Sequence, residues 1–320
     1  MDLISAKLRL GSVALGLAIF LLAAAIVYGI EQYMGYGIGF LALLIFLLPV
    51  FIFIDILQWL FGPYIIGMAY RTHKLSPSDP EYQMLDSVVT RVAIYNNMRK
   101  PDIYIAEVDM PNAFAYGSPI AGKRVAVTRG GLLRILNEKE IEAVLGHEIG
   151  HLRHHDVEML LAIGLIPTLL FYFGYLLLFS GSRERNAGIV LLFAIIAIVL
   201  SFLFRFFILA FNRMRESYAD ANSALTVPGG ADNLETGLAK IVAASGTHRL
   251  FRRRNRNTSS SVAEMLFISN PDQGEIKDYR QLLEEWKTMK VSRFAAFFSD
   301  HPHPAKRIQM LERIKQSQAQ

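Results

Sequence analysis

Four stretches of this chain carry almost no charge: residues 10–30, 38–60, 159–179 and 188–210. Each is long enough to cross a hydrocarbon core about 30 Å thick, which takes roughly 20 helical residues. Backbone inside such a core must hydrogen-bond to itself, so the spans read as helices. The chain is therefore expected to be a mainly α membrane protein with four transmembrane helices. Of all residues, 52% are hydrophobic and 19% charged, and the apolar ones concentrate in these stretches. The rest of the 320 residues has the composition of ordinary soluble sequence. The first stretch is long, lacks a clear small-residue cleavage site and leads at once into a second span, so it reads as a span rather than a cleaved leader.

Lys and Arg near the span ends set the expected orientation. Lys7 and Arg9 precede span one, Arg71 and Lys74 follow span two, Arg153 precedes span three, and Arg213 and Arg215 follow span four. The loop 31–37 has neither residue type, and the loop 180–187 has only Arg183 and Arg185. Both termini and both long polar segments are thus placed on the cytoplasmic side, where they can form one domain. The expected layout is transmembrane helices one and two in 1–61, a first domain half in 62–158, helices three and four in 159–210, and a second half in 211–320. The net charge of +5 fits anionic lipid better than nucleic acid. No nucleic-acid partner is expected. Asp55 and Arg205 count to the same depth in spans two and four. They either pair there or reach separately to the interface.

Within the polar segments, apolar periodicity predicts a helix over 82–98. Strands are expected around 103–108, 112–116 and 125–128, with Gly117, Pro119 and Gly122 in the last turn. Together they make a small sheet. Asn137 followed by Glu140 is a capping-box start for another helix, which has no proline before Pro167 and is expected to run on into span three. Residues 249–261, rich in Arg and Ser, read as a basic loop, and 304–316 as a final helix.

That capped helix carries His147, Glu148 and His151 in the order His-Glu-Ile-Gly-His. Positions i and i+4 share a helix face, so two imidazoles can bind one Zn²⁺ while the glutamate reaches a water on the same metal. The pattern arises by chance in roughly one chain per hundred of this length. With no cysteine in the chain, a third ligand must be His, Asp or Glu. Glu216 is the candidate, from a helix over 211–222 that also places Asp220 on the same face. Asp220 can then accept the second N–H of a ligating histidine, His147, and orient its ring. Helical rise puts His151 roughly 12 Å beyond span three and Glu216 roughly 9–18 Å beyond span four, on one side of the membrane. The plainer alternative is a polar helix surface. His154 and His155 are read that way, as solvated residues.

These residues give the chain its resemblance to the HtpX family of membrane metalloproteases, relatives of the CAAX-prenyl proteases. The resemblance rests on HEIGH at 147–151 followed by Asp156, RESYAD at 215–220, PNAFAYG at 111–117 and HPHPAKRI at 301–308. It implies a cytosolic α+β gluzincin-type protease domain. Its zinc ligands would be His147, His151 and Glu216, one Zn²⁺ per subunit, with Glu148 as the catalytic base. It also implies that Asn112, Ala113, Phe114 and Ala115 form an edge strand that binds an extended substrate backbone. His301 would help hold the oxyanion, with Arg307 nearby. The family's usual Thr-His-Pro reads Asp300-His301-Pro302 here. The extra His303 leaves open which histidine faces the metal.

The resemblance further implies an endopeptidase of the cell membrane. It would cut misfolded or damaged membrane proteins at the cytoplasmic face, with unfolded or membrane-embedded proteins as substrates and the bilayer as surroundings. A prenyl-protein endoprotease is the alternative within proteases, although four spans are few for one. A non-catalytic metal-binding scaffold is the alternative outside them. The sequence leaves a homo-oligomer open.

Overall fold

The computed structural model describes residues 39–179, 187–254, 279–291, 299 and 301–318. The expected first span, the 31–37 loop, residues 255–261 and Asp300 lie outside them. The described part is mostly helical with one small mixed sheet. It divides into two compact units. One takes its described residues from Met1–Gln58 and Glu158–Asn212, the other from Trp59–Val157 and Arg213–Gln320.

Three helices among the described residues are long and apolar enough to cross a membrane. They are α1 (Gly39–Ala69), α5 (Asp156–Phe179) and α6 (Ala187–Thr226). Helix α1 continues past the expected end at 60, because Phe61, Tyr64, Ile65 and Met68 extend its apolar exterior. In the first unit, α5 and α6 pack through Leu170 on Phe204 and Phe173 on Ala197. Gly174 makes this approach possible, since a Cβ there would lie 2.8 Å from the Ala194 carbonyl oxygen. Their outer faces carry Tyr172, Leu191, Leu192, Val199 and Phe202, all exposed. Asp55 and Arg205 form no ion pair among the described residues. The Arg205 guanidinium instead lies over the Phe202 ring, one turn away on its own helix, 5.5 Å from the centroid.

The second unit holds the sheet and the remaining helices. Strands β1 (Thr72–Lys74), β2 (Asp102–Ala106), β3 (Ala113–Ser118) and β4 (Gly122–Thr128) lie in the order β1-β2-β4-β3. The β2–β4 pair is parallel and the other two are antiparallel. The β3–β4 turn needs its glycines: a Cβ on Gly117 would strike the Gly122 carbonyl oxygen at 2.6 Å, and Gly122 has φ +71°. This turn leaves β3 at the sheet edge. The helices are α2 (Tyr82–Tyr95), α3 (Leu132–Ile135), α4 (Glu138–His154), α7 (Gly230–Arg254), α8 (Tyr279–Thr288) and α9 (Pro304–Gln318). The core combines Val88 and Val92 of α2, Ile105 and Val127 of the sheet, Val144, Leu145 and Ile149 of α4, Leu234 and Leu238 of α7, and Ile308 and Leu311 of α9. Helix α7 reaches Arg254, so the first part of the expected basic loop is helical. Leu and Arg are good helix formers.

Candidate active site

Helix α4 begins at the expected capping box. The Glu140 N–H donates to Asn137 Oδ1 at 3.0 Å and the Asn137 N–H donates to Glu140 Oε2 at 2.9 Å. Its other end corrects the expectation of a helix continuous with span three. His155 takes a left-handed conformation, φ 57°, and closes α4 before α5 starts at Asp156. That stop matters chemically, because the turn brings the Asp156 carboxylate back against α4. Of the two trailing histidines, His155 is exposed. His154 departs from a solvated role, since its ring stands edge-on to Tyr218 with centroids 3.8 Å apart.

His147 and His151 project from one face of α4 with Nε2 atoms 3.2 Å apart. Glu216 of α6 reaches both, with Oε2 3.5 Å from His147 Nε2 and Oε1 3.6 Å from His151 Nε2. Each imidazole turns its other nitrogen to a carboxylate: His147 Nδ1 to Asp220 Oδ1 at 2.8 Å, and His151 Nδ1 to Asp156 Oδ2 at 2.5 Å. Those acceptors hold the ring protons on Nδ1, so both Nε2 lone pairs face the same small space. Two lone pairs and a carboxylate this close repel one another unless they share a cation. Three donors about 2.0–2.1 Å from one tetrahedral ion stand roughly 3.3–3.4 Å apart, close to the spacing found here. His147, His151 and Glu216 are the one group among the described residues whose donor atoms converge in this way, all within 4.8 Å of one another.

The electrostatics agree. Burial works against a charged His147, but its bonds to Asp220 and Glu216 prevail and raise it to about 9: without metal, a proton on Nε2 takes the place beside Glu216 that a metal ion would fill. Burial also works against ionised Glu216 and Asp220. Glu216 is nevertheless held well below the carboxylate range by His147 and His301, and Asp220 is lowered by Arg307 and His147. Arg307 of α9 grips Asp220 with two donors, Nε at 2.8 Å and Nη2 at 2.5 Å.

Glu148 is buried and shifts the opposite way. Burial lifts its carboxyl above the usual range, as suits a group that must accept and return a proton. Its Oε2 accepts a hydrogen bond from the Ala115 backbone N–H at 3.0 Å. That bond shows which way β3 faces. The backbone groups of Ala115 point away from β4, and by alternation so do those of Ala113. Asn112 lies just before the strand and its backbone bonds Thr128 instead. The Phe114 ring packs on Tyr70, with centroids 4.6 Å apart, in a buried cluster with Tyr116.

His301 brings Nδ1 to 3.5 Å from Glu216 Oε1 and keeps 23% of its side chain exposed. His303 turns Nδ1 to the Ala305 N–H at 3.1 Å, capping α9. Of the two, it is His301 that faces the cluster. Sequence reasoning missed Asp156 as the carboxylate behind His151, and Arg307 as the partner of Asp220. The first had a signal: an acid five residues past the second histidine.

This site, with paired imidazoles, a carboxylate from a second helix and a buried glutamate between them, is that of a metallopeptidase. The sequence model of peptidase family M48 matches residues 80–315, and the chain belongs to this family; it is a metalloprotease. It is 69% identical over 318 residues to a protein named Protease HtpX homolog from Thermoplasma acidophilum, covering 99% of this chain and 100% of that one. A protein of the same name from Picrophilus torridus is 51% identical over 318 residues, covering 99% of this chain and 100% of that one. Among solved structures, the crystal structure of S. mikatae Ste24p matches with a TM-score of 0.50 at 18% identity. The match covers 95% of this chain and 66% of that one, and the likeness concerns the fold alone. Family membership and the three apolar helices make this a membrane metalloprotease.

Proposed function

We propose that the chain is a zinc endopeptidase that removes misfolded or damaged membrane proteins by cutting them at the cytoplasmic face of the cell membrane. In this reading it has four transmembrane helices in 1–61 and 159–210. A gluzincin-type domain is assembled from 62–158 and 211–320. His147, His151 and Glu216 hold one zinc ion. The observation that carries the reading is the convergence of two Nε2 atoms and one carboxylate, with Glu148 beside them bonded to an edge strand. The flanking Lys and Arg residues support the orientation.

A zinc ion bound there would supply Lewis acidity and bring the acidity of water near neutrality. The protein's own groups do the rest. With the Ala115 N–H held by Glu148, an extended substrate adds to β3 and bonds the outward backbone groups of Ala113 and the Ala115 carbonyl, which sets its scissile carbonyl beside the cluster. Ala113 and Ala115 contribute backbone, whereas Asn112 and Phe114 hold the strand in place. Glu148 takes the proton of the attacking water and returns it to the leaving amine. His301, partly exposed at the cluster rim, donates to the oxyanion. Asp220 and Arg307 keep His147 in the tautomer that presents Nε2.

Two variants test this, with unfolded casein as the probe substrate and the purified full chain. Glu148→Gln should keep zinc and lose cleavage by about a thousandfold or more, given the loss of base catalysis. Glu216→Ala should lose most of its zinc, read by elemental analysis. Normal turnover by Glu148→Gln would remove the catalytic reading. Undiminished zinc in Glu216→Ala would remove the ligand set.

A further inference from the structure

The metal cluster needs two helices in register, and the face of α4 next to the ligands carries a device for this. Helix α4 has glycines immediately before each ligating histidine, Gly146 and Gly150. Both face α6 at contact distance. A Cβ on Gly146 would lie 3.1 Å from Ser223 Oγ, and one on Gly150 would lie 3.1 Å from Asn222 Nδ2. The helices therefore touch without a side-chain spacer. Into this contact α6 inserts Asn222, which is buried. Its Nδ2 donates to the Gly146 carbonyl at 3.0 Å and to Asn96 Oδ1 at 2.8 Å, while its Oδ1 accepts from Arg153 Nη1 at 3.3 Å. Asn96 is tied in turn to its own helix end, with Nδ2 donating to the Val92 carbonyl at 2.9 Å.

We propose that Asn222 is a positioning residue for the metal centre, setting the axial register of the Glu216-bearing helix against the His147-bearing helix. The carbonyl it holds belongs to the peptide bond that leads into His147. Asn222 and Glu216 ride on one continuous helix, six residues or about 9 Å apart. A slip of α6 by a single residue, about 1.5 Å, would take the carboxylate out of ligating range of at least one imidazole. Packing alone permits such a slip, because glycine faces offer no knobs. A side chain with two donors and a fixed acceptor on each side does not. Ser223, bonded to the Ala143 carbonyl at 2.6 Å one residue further along, strengthens the same contact.

The inference rests on His147, His151 and Glu216 being the zinc ligands, and the test separates the two. The full chain and Asn222→Leu, similar in volume but with no donor, are purified metal-free and titrated with Zn²⁺ against a chromophoric chelator. Metal-free melting is recorded in parallel. Asn222→Leu is expected to bind zinc at least about tenfold more weakly, the size of effect seen for groups that orient ligands. Its cleavage of casein should fall at limiting zinc and recover in excess zinc. A lowered melting temperature with unchanged zinc affinity would overturn the proposal, since that is what a merely structural residue gives. Should Asn222→Leu fail to fold, Asn96→Ala decides. It removes the partner that aims Nδ2 at Gly146, leaves α4 and α6 chemically intact, and should weaken zinc about threefold or more; unchanged affinity again overturns the proposal. Absence of zinc binding by the unaltered chain would instead sink the ligand assignment on which the inference rests.

Discussion

The two sides of the metal cluster are built to one plan and finished differently. On each side an imidazole leans on a carboxylate, and the carboxylate leans on an arginine. The inner series runs His147, Asp220, Arg307, all nearly excluded from solvent, and Arg307 clamps Asp220 with two donors. The outer series runs His151, Asp156, Arg215. There the histidine side chain is 14% exposed, and Arg215 Nε stands 3.3 Å from Asp156 in a single contact. A buried charge pair loses heavily when one partner is removed, while a pair that water can reach is partly compensated. The inner series therefore acts as the fixed reference of the site. The outer series, beside the helix stop at His155, is the adjustable side.

Asp220→Asn should break the comparison most visibly. An asparagine can donate to His147 Nδ1, which moves the ring proton to Nε2 and hides the lone pair a metal needs. It also takes the bidentate acid from buried Arg307, whose Nη1 stands 3.9 Å from Glu216. Zinc affinity is expected to fall about a hundredfold, and stability by about 3 kcal/mol. Chelator competition and denaturant unfolding measure the two. Full affinity in this variant would mean that the inner carboxylate does not orient the ring.

Asp156→Asn should be milder, about tenfold in zinc affinity, because water can stand in for part of what His151 loses. The same competition assay applies. A larger loss at Asp156 than at Asp220 would invert the comparison and make the outer side the reference.

Much of this was legible in the sequence, for identifiable reasons. Hydropathy marked α1, α5 and α6, because a membrane span is a one-dimensional pattern. The capping box at Asn137 and Glu140 fixed the start of α4, and the i, i+4 histidines fixed its face. Glu216 and Asp220 could be paired because they share a helix with the same spacing. The arginines could not be read this way. Arg307 meets Asp220 from 87 positions away, and no local pattern encodes that meeting. Asn222 was equally silent, since its partners, Asn96 and the Gly146 carbonyl, come from two other helices. The helix stop at His155 was missed because a non-glycine residue makes it, where the rules favour Gly or Asn. Phe114 was legible only in part. The motif marked its strand as one that pairs with a substrate backbone but said nothing of its ring, which packs in the cluster around Tyr70.

The smallest expected effect concerns a buried acid away from the site, and it sharpens the meaning of the inner series. Glu235 of α7 is as buried as Asp220, yet its carboxyl is pushed up to about 7, whereas Asp220 is lowered. Burial raises both. The difference lies in the counter-charge. Arg307 gives Asp220 two donors, while Lys315 Nζ is divided among Glu235, Asp232 and Glu312, all at 2.9 Å. A carboxyl with a raised folded value binds its proton more tightly folded than unfolded. Its contribution to stability is therefore complete below the unfolded value of about 4.5 and is lost as pH rises through about 7. The melting temperature of the metal-free chain should thus fall by a few degrees across that window. In Glu235→Gln, which cannot ionise, that part of the slope should vanish while zinc affinity stays as it was. A slope of opposite sign, with stability gained as pH rises, would mean that Lys315 holds Glu235 ionised. The counter-charge would then not distinguish the two acids as argued, and the shared lysine and the bidentate arginine would be equivalent partners.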